Sequence, residues 1–381
     1  MSDRRKYKIL FIGDYSNLQH LLGKTLRKQG HDVTVMSEGC GFQNTFRDVD
    51  INRRRGKIHG ALLAAKLWGP WHKVLKDNDI VVLQNPHFLP LRPSRIKYFF
   101  DRLRGENRSV FLSAAGTDEY YLRDSLDPTF PLRYNEWRVG DRPAPYAIEQ
   151  PELIESWLTP EMMKFADYVY SNIDGAVSAL YEYHLTIERA LGKEHVAYGG
   201  IPIDTGEIKY REPSTGGPLK LFLGRHLKRY AEKGTDILEH AALEAIGKFG
   251  EDKVRLEIVE NRPYEEYVST MIGSHIMLDQ IYSYTPATNA LIGMARGLTA
   301  VSGGEPEYYD FIGEKELRPI VNASPDAAEV TRTMIETVEK FLENPGSLEA
   351  NARASREFVE RHNEANLVAD RYLKFWESKL H

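Results

Sequence analysis

The sequence has few of the features that mark secreted, metal-clustered or membrane-spanning proteins. Cys40 is the one cysteine among 381 residues, which excludes an intramolecular disulfide framework and a cysteine metal cluster. The 12 histidines show no H-E-x-x-H or similar spacing, so we expect no metal. No uninterrupted apolar run approaches the roughly 20 residues that cross a bilayer. The charges and the short apolar run before Gly13 fit a buried strand better than a secretory signal, and we expect a cytoplasmic protein.

The composition favours a folded chain. With 42% apolar and 28% charged residues, it is long enough for two globular domains that each bury a core. Extended disorder is therefore not expected.

The charges are unevenly distributed. Residues 1–110 contain 21 Lys and Arg against 10 Asp and Glu, a net +11, and the remainder carries −16. Such asymmetry attracts anionic partners to one half of a molecule. Nucleic acid binding is not expected, because no recognition motif accompanies the charge.

The densest basic stretch, 91–108, contains Tyr98, Phe99 and Phe100. One interpretation is a helix on an anionic membrane surface, at the inner face of the membrane. The other is an amphipathic helix whose aromatic side chains enter the core. The second is favoured, because three adjacent aromatic residues cannot share one helix face.

Short apolar runs alternate with helix-length segments twice along the chain. The first series predicts strands at 8–13, 31–36, 79–84, 109–114, 167–171 and 195–198. After a turn-rich break at 212–218, the second predicts strands at 220–224, 254–259, 275–280, 298–302 and 318–322. Beyond about residue 326 the periodicity becomes helical. This order is typical of two α/β domains, each with a buried parallel sheet and crossover helices.

The connection from Ala114 to Ala166 is long and rich in Tyr, Arg and Pro. Structureless loops of this length are uncommon in compact domains, so we expect some helix within it. It is interpreted either as an acceptor-binding element or as a structural excursion at the domain edge.

Ligands of open parallel sheets bind beyond the carboxyl ends of the strands, so residues that follow strands are the candidates for a site. Gly13 follows the first strand, but the G-x-G-x-x-G spacing of a dinucleotide fingerprint is missing. The alternative is an ordinary turn in which Ser16 or Asn17 caps the next helix.

A stronger candidate opens the second series. Gly224 would let a ligand approach the backbone, while Arg225, Lys228 and Lys233 could clamp a diphosphate. The alternative is a solvated basic loop.

The third candidate is the segment 285–309. Thr285, Pro286, Thr288 and Asn289 predict the start of a helix, and a strand then ends in Gly303 and Gly304, followed by Glu305 and Glu307. A helix N-terminus and a glycine-rich strand end can converge on one anionic ligand. A capped core helix is the alternative.

Taken in order, these motifs resemble the donor domain of the group-one GT-B glycosyltransferases. The order is GR, KG, a helix ending in MA-x-G, a strand, GG and E. LSAAGTD at 112–118, ADYVYSNID at 166–174 and YGGIPID at 198–204 stand where that family has its matching strand ends and interdomain link. The resemblance covers nearly the whole chain.

The resemblance implies two Rossmann-like domains facing a cleft, followed by C-terminal helices. Residues 1–204 would bind the acceptor, 205–362 would bind the nucleotide sugar, and 363–381 would form a helix that crosses back to the first domain or packs on the second.

The resemblance also implies an activity. A sugar would pass, with retention of configuration, from a nucleotide-diphosphate donor to a glycan or lipid-linked acceptor in cell-surface polysaccharide or glycoconjugate synthesis. No permanently bound cofactor is implied. Arg225 and Lys233 would neutralise the donor diphosphate, with Lys228 in reserve, Glu307 would lie near the leaving nucleotide or sugar, and amides at 286–289 would hold phosphates.

The chain departs from the family at three positions. Thr285 and Gly293 replace two glutamates that commonly contact the sugar and the ribose, and Ala115 replaces the histidine of an HG motif. Asp118, Asn289, Glu305 and Asp279 are the candidate substitutes. Because of these departures, a noncatalytic glycan- or partner-binding protein and a nucleotide-sugar epimerase remain alternatives.

Overall fold

The computed structural model describes residues 5–39, 45–225, 229–260 and 264–380, with the side chains of 264 and 265 left out. Elements are numbered along the chain. The residues divide into two compact units by their contacts. The first comprises Met1–Asp124, Glu152–Pro202 and Ala365–His381, and the second comprises Ser125–Pro151 and Ile203–Glu364.

The first unit is built on a parallel sheet. Its strands are β1 Lys8–Ile12, β2 Asp32–Ser37, β3 Val49–Asp50, β4 Ile80–Leu83, β5 Ser109–Ala114, β8 Gly175–Ser178 and β9 Val196–Tyr198, in the order β3-β2-β1-β4-β5-β8-β9. Its helices are α1 Leu18–Lys28, α2 Lys57–Trp68, α3 Pro93–Glu106, α4 Glu119–Leu126, α6 Pro151–Trp157, α7 Pro160–Tyr170, α8 Tyr181–Leu191 and α16 Ala365–Lys379. The alternation along β1 shows why the sheet is buried on both faces: Leu10 and Ile12 enter one apolar core, while Ile9 and Phe11 enter another.

The second unit repeats the design with a smaller sheet. Its strands are β10 Leu219–Arg225, β11 Val254–Glu260, β12 Ile276–Leu278, β13 Thr299–Ser302 and β14 Val321–Asn322, in the order β11-β10-β12-β13-β14. An antiparallel hairpin of β6 Arg138–Val139 and β7 Arg142–Pro143 belongs to the same unit. Its helices are α5 Pro145–Glu149, α9 Tyr230–Lys233, α10 Thr235–Phe249, α11 Tyr264–Ile272, α12 Thr288–Ala295, α13 Pro306–Ile312, α14 Ala327–Glu343 and α15 Pro345–His362.

One predicted strand is wrong. Residues 167–171 lie mostly in α7, whose first turn is capped by the Thr159 hydroxyl accepting from the Met162 amide at 3.3 Å. Its buried residues include Phe165, Val169 and Tyr170, a helical stripe rather than an alternating one. The strand of this region is β8, a few residues later.

The unit boundaries also differ from the predicted ones. Residues 125–151 belong to the second unit, because Trp137 and Tyr134 are buried there and Ala144 enters the core of its sheet. The segment contains helix, as expected of the long connection, together with the hairpin.

The last helix, α16, belongs to the first unit. Trp376 is fully buried, with its ring 6.0 Å from that of Phe11 and 6.2 Å from that of Phe111. The Tyr372 ring also contacts Trp376, with 5.6 Å between the ring centroids.

In α3, Phe99 and Phe100 are buried in the core, whereas Tyr98 is 41% exposed. The segment 91–108 thus contains an amphipathic helix that packs on the first sheet. Across the described part of the chain, no helix combines the length and apolarity needed to span a bilayer.

Candidate functional site

The carboxyl ends of the second unit's strands meet at one edge of the sheet, because all its strands are parallel. Arg225 ends β10, Asp279 follows β12, Gly303 follows β13 and Asn322 ends β14. The predicted residues Arg225, Asp279 and Gly303 therefore lie at the same edge of this sheet.

Arg225 is held by two carboxylates. Its Nε donates to Glu260, the last residue of the neighbouring β11, and its Nη1 donates to Glu239 of α10. Burial lowers the pKa of Arg225, but these two bonds outweigh burial and raise it overall. The guanidinium is thus a fixed cation whose charge is already compensated.

Lys233 is arranged in the same way. It ends α9, and Gly234 then turns the chain with a φ of 67°, in a place where a Cβ atom would lie 2.4 Å from Ile281. The Lys233 ammonium lies 2.9 Å from Oδ1 of Asp279, whose other oxygen accepts from the Ser302 hydroxyl at 3.1 Å. Lys228 lies outside the described residues.

The predicted helix start at 288 is the start of α12. Thr285 and Pro286 are buried, and Ala287 occupies the capping position without a side-chain cap. Within the described ranges, no protein acceptor bonds the first-turn amides of Thr288 and Asn289. Such open amides carry the positive end of the helix dipole and are suited to bind an anion.

The two glycines after β13 allow close packing beside this helix start. A Cβ atom on Gly303 would lie 2.1 Å from the carbonyl oxygen of Ser283. The Gly304 amide donates to Oδ1 of Asn322 at 2.9 Å. Gly224 is equally constrained, since a Cβ atom there would lie 2.2 Å from the ring of Tyr267. No larger residue fits these positions without a shift.

Glu305 and Glu307 share one cation, which sequence reasoning missed. Arg133 bonds the buried Glu305 and lies 2.9 Å from Glu307, and its guanidinium is 5.4 Å from the ring centroid of Tyr284. Burial lowers the pKa of Arg133, but the surrounding tyrosine and carboxylates raise it overall. The Tyr134 hydroxyl also donates to Glu305, and burial together with this bond raises its pKa.

Asn322 completes the set of donors to Glu305, at 2.9 Å. Only the Tyr and Arg content of the long connection pointed to Arg133, and nothing in its spacing paired it with residues 305 and 307.

The first unit holds the other two predicted residues at the carboxyl edge of its own sheet. Gly13 follows β1 with a φ of 99°, and a Cβ atom there would overlap Gln84. The Asn17 side chain does not cap α1. Asn17 stands at the capping position without such a bond, and Asp14 accepts from the Gln19 amide at 3.0 Å instead.

Asp118 is a buried residue at the start of α4. It accepts from the Tyr121 amide and from the Tyr170 hydroxyl, each at 2.7 Å. Burial raises the pKa of Asp118 to about 6. Both carboxylate oxygens are occupied by these bonds, which is the arrangement of a helix cap.

A histidine–glutamate pair lies beside Asp118 and had no sequence signal. His87 Nδ1 is 3.3 Å from Oε1 of Glu119, a fully buried carboxylate whose Oε2 has no hydrogen-bond partner. His87 also meets the Phe165 ring edge-on at 5.5 Å.

The whole chain matches solved structures of low sequence identity. HepE from Anabaena, solved in complex with UDP and glucose, superposes with a TM-score of 0.61 at 12% identity, over 98% of this chain and 100% of that one. Sucrose-phosphate synthase from Thermosynechococcus elongatus gives 0.60 at 10% identity, over 97% and 98%. The chain has the GT-B fold.

A third solved structure carries a different activity in its name. A putative UDP-N-acetylglucosamine 2-epimerase from Listeria monocytogenes superposes with a TM-score of 0.50 at 11% identity, over 97% of this chain and 95% of that one. No protein-family model matches the sequence, and comparison with curated proteins gives no significant match.

Within this GT-B fold, the two departures in the second unit have local causes. Gly293 is buried in α12, and a Cβ atom there would lie 2.6 Å from Sδ of Met277 on β12. Position 293 is therefore packed on the sheet. Thr285 is buried beside Ser283, whose hydroxyl donates to the Thr285 carbonyl at 2.8 Å.

The turn that contains the third departure, Ala115, is closely packed at its next residue. Gly116 follows Ala115, and a Cβ atom on Gly116 would lie 2.4 Å from the ring of Tyr15. The Tyr15 ring therefore packs against this turn.

Proposed function

We propose that the protein is a glycosyltransferase that takes a hexosyl group from a nucleoside diphosphate sugar and gives it to a glycan or lipid-linked acceptor. The observation that carries the proposal is the meeting, at one sheet edge of a GT-B fold, of the open first turn of α12 with three fixed cations. These are Arg225, Lys233 and Arg133.

The diphosphate is assigned to the start of α12 and to Arg225 and Lys233. Glu239, Glu260 and Asp279 hold the two cations in place while the site is free. A diphosphate carries more charge than a carboxylate and accepts more hydrogen bonds, so it can replace these partners. The cations then need no rearrangement when the reaction occurs.

The reaction needs stabilisation of a leaving group. The bond between the anomeric carbon and the donor phosphate oxygen breaks, the acceptor oxygen bonds to that carbon, and the acceptor proton passes to the departing diphosphate. Charge grows on the diphosphate during this step, and fixed cations and amides stabilise it. Glu305 and Glu307 are assigned to the sugar and nucleotide, and retention of configuration is the outcome that the family resemblance implies.

The proposal is tested by nucleotide binding measured with titration calorimetry and thermal shift. UDP is the first probe, because HepE was solved with UDP. We expect saturable binding and a higher melting temperature. Arg225→Ala should weaken binding by about tenfold to a hundredfold, since a charge-assisted bond is lost and Glu239 and Glu260 then face the phosphates.

Lys220→Ala is the matched control. Lys220 is the second residue of the strand that Arg225 ends, and it pairs with Glu257 of β11 at 3.5 Å. Lys220→Ala therefore removes an ion pair at the opposite end of the same strand. Equal binding by wild type and Arg225→Ala, with Lys220→Ala also unchanged, would show that the assigned phosphate site is wrong.

Two alternatives have specific support. The existing carboxylate partners of Arg225 and Lys233 favour a noncatalytic glycan- or partner-binding protein, which predicts no melting shift with any nucleotide and no consumption of nucleotide sugars. The Listeria structure favours a nucleotide-sugar epimerase, which predicts turnover without any acceptor.

A further inference from the structure

Helix α2 exposes an apolar face that no described part of the first unit covers. Only Gly60, Leu63 and Leu67 are buried, while Ile58 is 75% exposed and Leu62 is 56% exposed. Ala61 and Ala65 are exposed between them. Exposing the apolar face of a helix to water is energetically unfavourable. Contiguous exposed apolar surface therefore marks an interaction site.

The apolar face continues onto α3 through aromatic contacts. Trp68, which ends α2 and is 52% exposed, stacks on Tyr98 at 4.8 Å between ring centroids. The Arg102 guanidinium lies 4.7 Å from the Trp68 ring. We call the exposed side chains of Ile58, Ala61, Leu62, Ala65, Trp68 and Tyr98 the α2–α3 surface.

The charges on and beside α2 have one sign, whereas α3 carries Asp101 and Glu106, which pair with its own Lys97 and Arg102. Residues 51–76 contain seven Lys and Arg and no Asp or Glu. Among the residues that the structure describes, no carboxylate pairs with the exposed cations Arg54, Arg55, Lys57, Lys73, Arg92 and Arg95. Cations without a carboxylate partner retain their full attraction for an anionic partner.

We propose that the α2–α3 surface docks on a bilayer that contains anionic lipids. The aliphatic side chains of α2 enter the boundary between headgroups and acyl chains, Trp68 and Tyr98 lie at headgroup level, and the arginines and lysines contact lipid phosphates. The inference does not depend on the proposed transferase activity. It places the contact on α2, which the sequence periodicity did not single out.

A lipid surface fits better than the other anionic or apolar partners. Nucleic acid would attract the cations but would leave Ile58 and Leu62 without an apolar environment. A second copy of the chain would bury the apolar residues but would bring two unpaired cationic rims together.

The test is co-sedimentation of the full chain with vesicles of phosphatidylcholine alone and with vesicles of phosphatidylcholine that contain about 30% phosphatidylglycerol. We expect binding to the anionic vesicles that weakens as salt rises. Arg54→Ser/Arg55→Ser should weaken partitioning roughly thirtyfold. Ile58→Ser/Leu62→Ser should weaken it by about tenfold or more while every charge is kept.

Leu243→Ser is the matched control for the apolar pair, because Leu243 is 52% exposed on α10 in the second unit. All substituted side chains are exposed, and unchanged circular dichroism and melting temperature verify that the variants fold. Loss in both double variants, with Leu243→Ser unchanged, supports the proposal.

The proposal would be overturned by a lack of binding to anionic vesicles, by binding that Ile58→Ser/Leu62→Ser leaves unchanged, or by self-association that this double variant abolishes. Tighter binding to a duplex oligonucleotide than to anionic vesicles would assign the cations to nucleic acid instead.

Discussion

Arg133 links two carboxylates that differ in burial. The Glu305 side chain is 7% exposed and that of Glu307 is 40% exposed. Arg133→Ala should lower the free energy of unfolding by about 1–3 kcal/mol, because it leaves the buried Glu305 charge with only neutral donors. Urea unfolding measures the effect.

Adding Glu305→Gln to Arg133→Ala should restore part of the loss, since the uncompensated charge is removed. Arg142→Ala changes an exposed arginine of the nearby β6–β7 hairpin and should alter stability little. Equal losses in Arg133→Ala and in the double variant would contradict the assigned pairing.

Asp118 makes stability depend on pH in a definite direction. Burial raises its folded-state pKa to about 6, above the ordinary 3.8. The folded state therefore holds the proton more tightly than the unfolded state. The contribution is fully present below about pH 4 and is lost as the pH rises through 6, a change on the order of 3 kcal/mol. Asp118→Asn should remove this dependence. In urea unfolding, the free energy of unfolding of the wild type relative to the variant should therefore fall between pH 4 and 7.

Glu314 should have a pH dependence of stability opposite in sign to that of Asp118. Burial raises its pKa, but bonds from the Leu317 amide, His362 and Arg361 outweigh burial and hold the pKa at about 2. The contribution is fully present above about pH 4.5 and is lost progressively as the pH falls from there through 2, so it stays nearly constant from pH 5 to 7. A stability difference for Asp118→Asn that stays constant from pH 4 to 7 would show that this carboxyl has an ordinary pKa.

The residues at the second sheet's edge could be predicted from sequence, but their partners could not. Arg225 and Gly303 follow apolar runs, which local pattern detects. Glu260 joins Arg225 only because β11 pairs with β10 in register, and Arg133 reaches residues 305 and 307 only through the packing of a distant segment. Such pairings depend on tertiary structure, and the periodicity of a single sequence does not show which distant residues will meet.

At the scale of elements, most strands could be predicted because both faces of each sheet are apolar. The pattern failed at α7, where Tyr, Val and Phe have strand propensity but are spaced as a helical stripe. It also could not place 125–151, since the burial of Trp137 and Ala144 is decided by the second unit's core.

Two glycine-to-alanine substitutions test how closely the elements of the second unit are packed. Gly303→Ala should cost about 1–3 kcal/mol in urea unfolding, because the new Cβ atom meets a backbone carbonyl that cannot move away cheaply. Gly247 lies in the last turn of α10, and nothing lies within 4 Å of its Cβ position. Gly247→Ala should therefore stabilise the helix by about 0.5–1 kcal/mol.

If the proposed donor site is correct, Gly303→Ala should also weaken UDP binding in calorimetry, whereas Gly247→Ala should leave it unchanged. A Gly303→Ala variant as stable as wild type would mean that the backbone after β13 is not packed as described.

At the scale of the whole molecule, the first unit is made of three separate stretches of chain and is completed by the last one. The aromatic contacts of Trp376 on α16 with Phe11 and Phe111 tie that stretch to β1 and β5. The core of the first unit thus depends on residues that the chain supplies after the whole of the second sheet.

Trp376→Ala should therefore destabilise the first unit by about 3–5 kcal/mol, the usual cost of removing a large buried aromatic side chain. Hydrogen exchange followed by mass spectrometry should show lower protection in β1 and β5 and unchanged protection in β10 and β12. Phe358→Ala is the reciprocal variant, because Phe358 is fully buried on α15 in the second unit, 6.0 Å from the Tyr309 ring. It should lower protection in β10 and β12 instead. Equal loss of protection in both sheets from either variant would mean that the two units unfold as one.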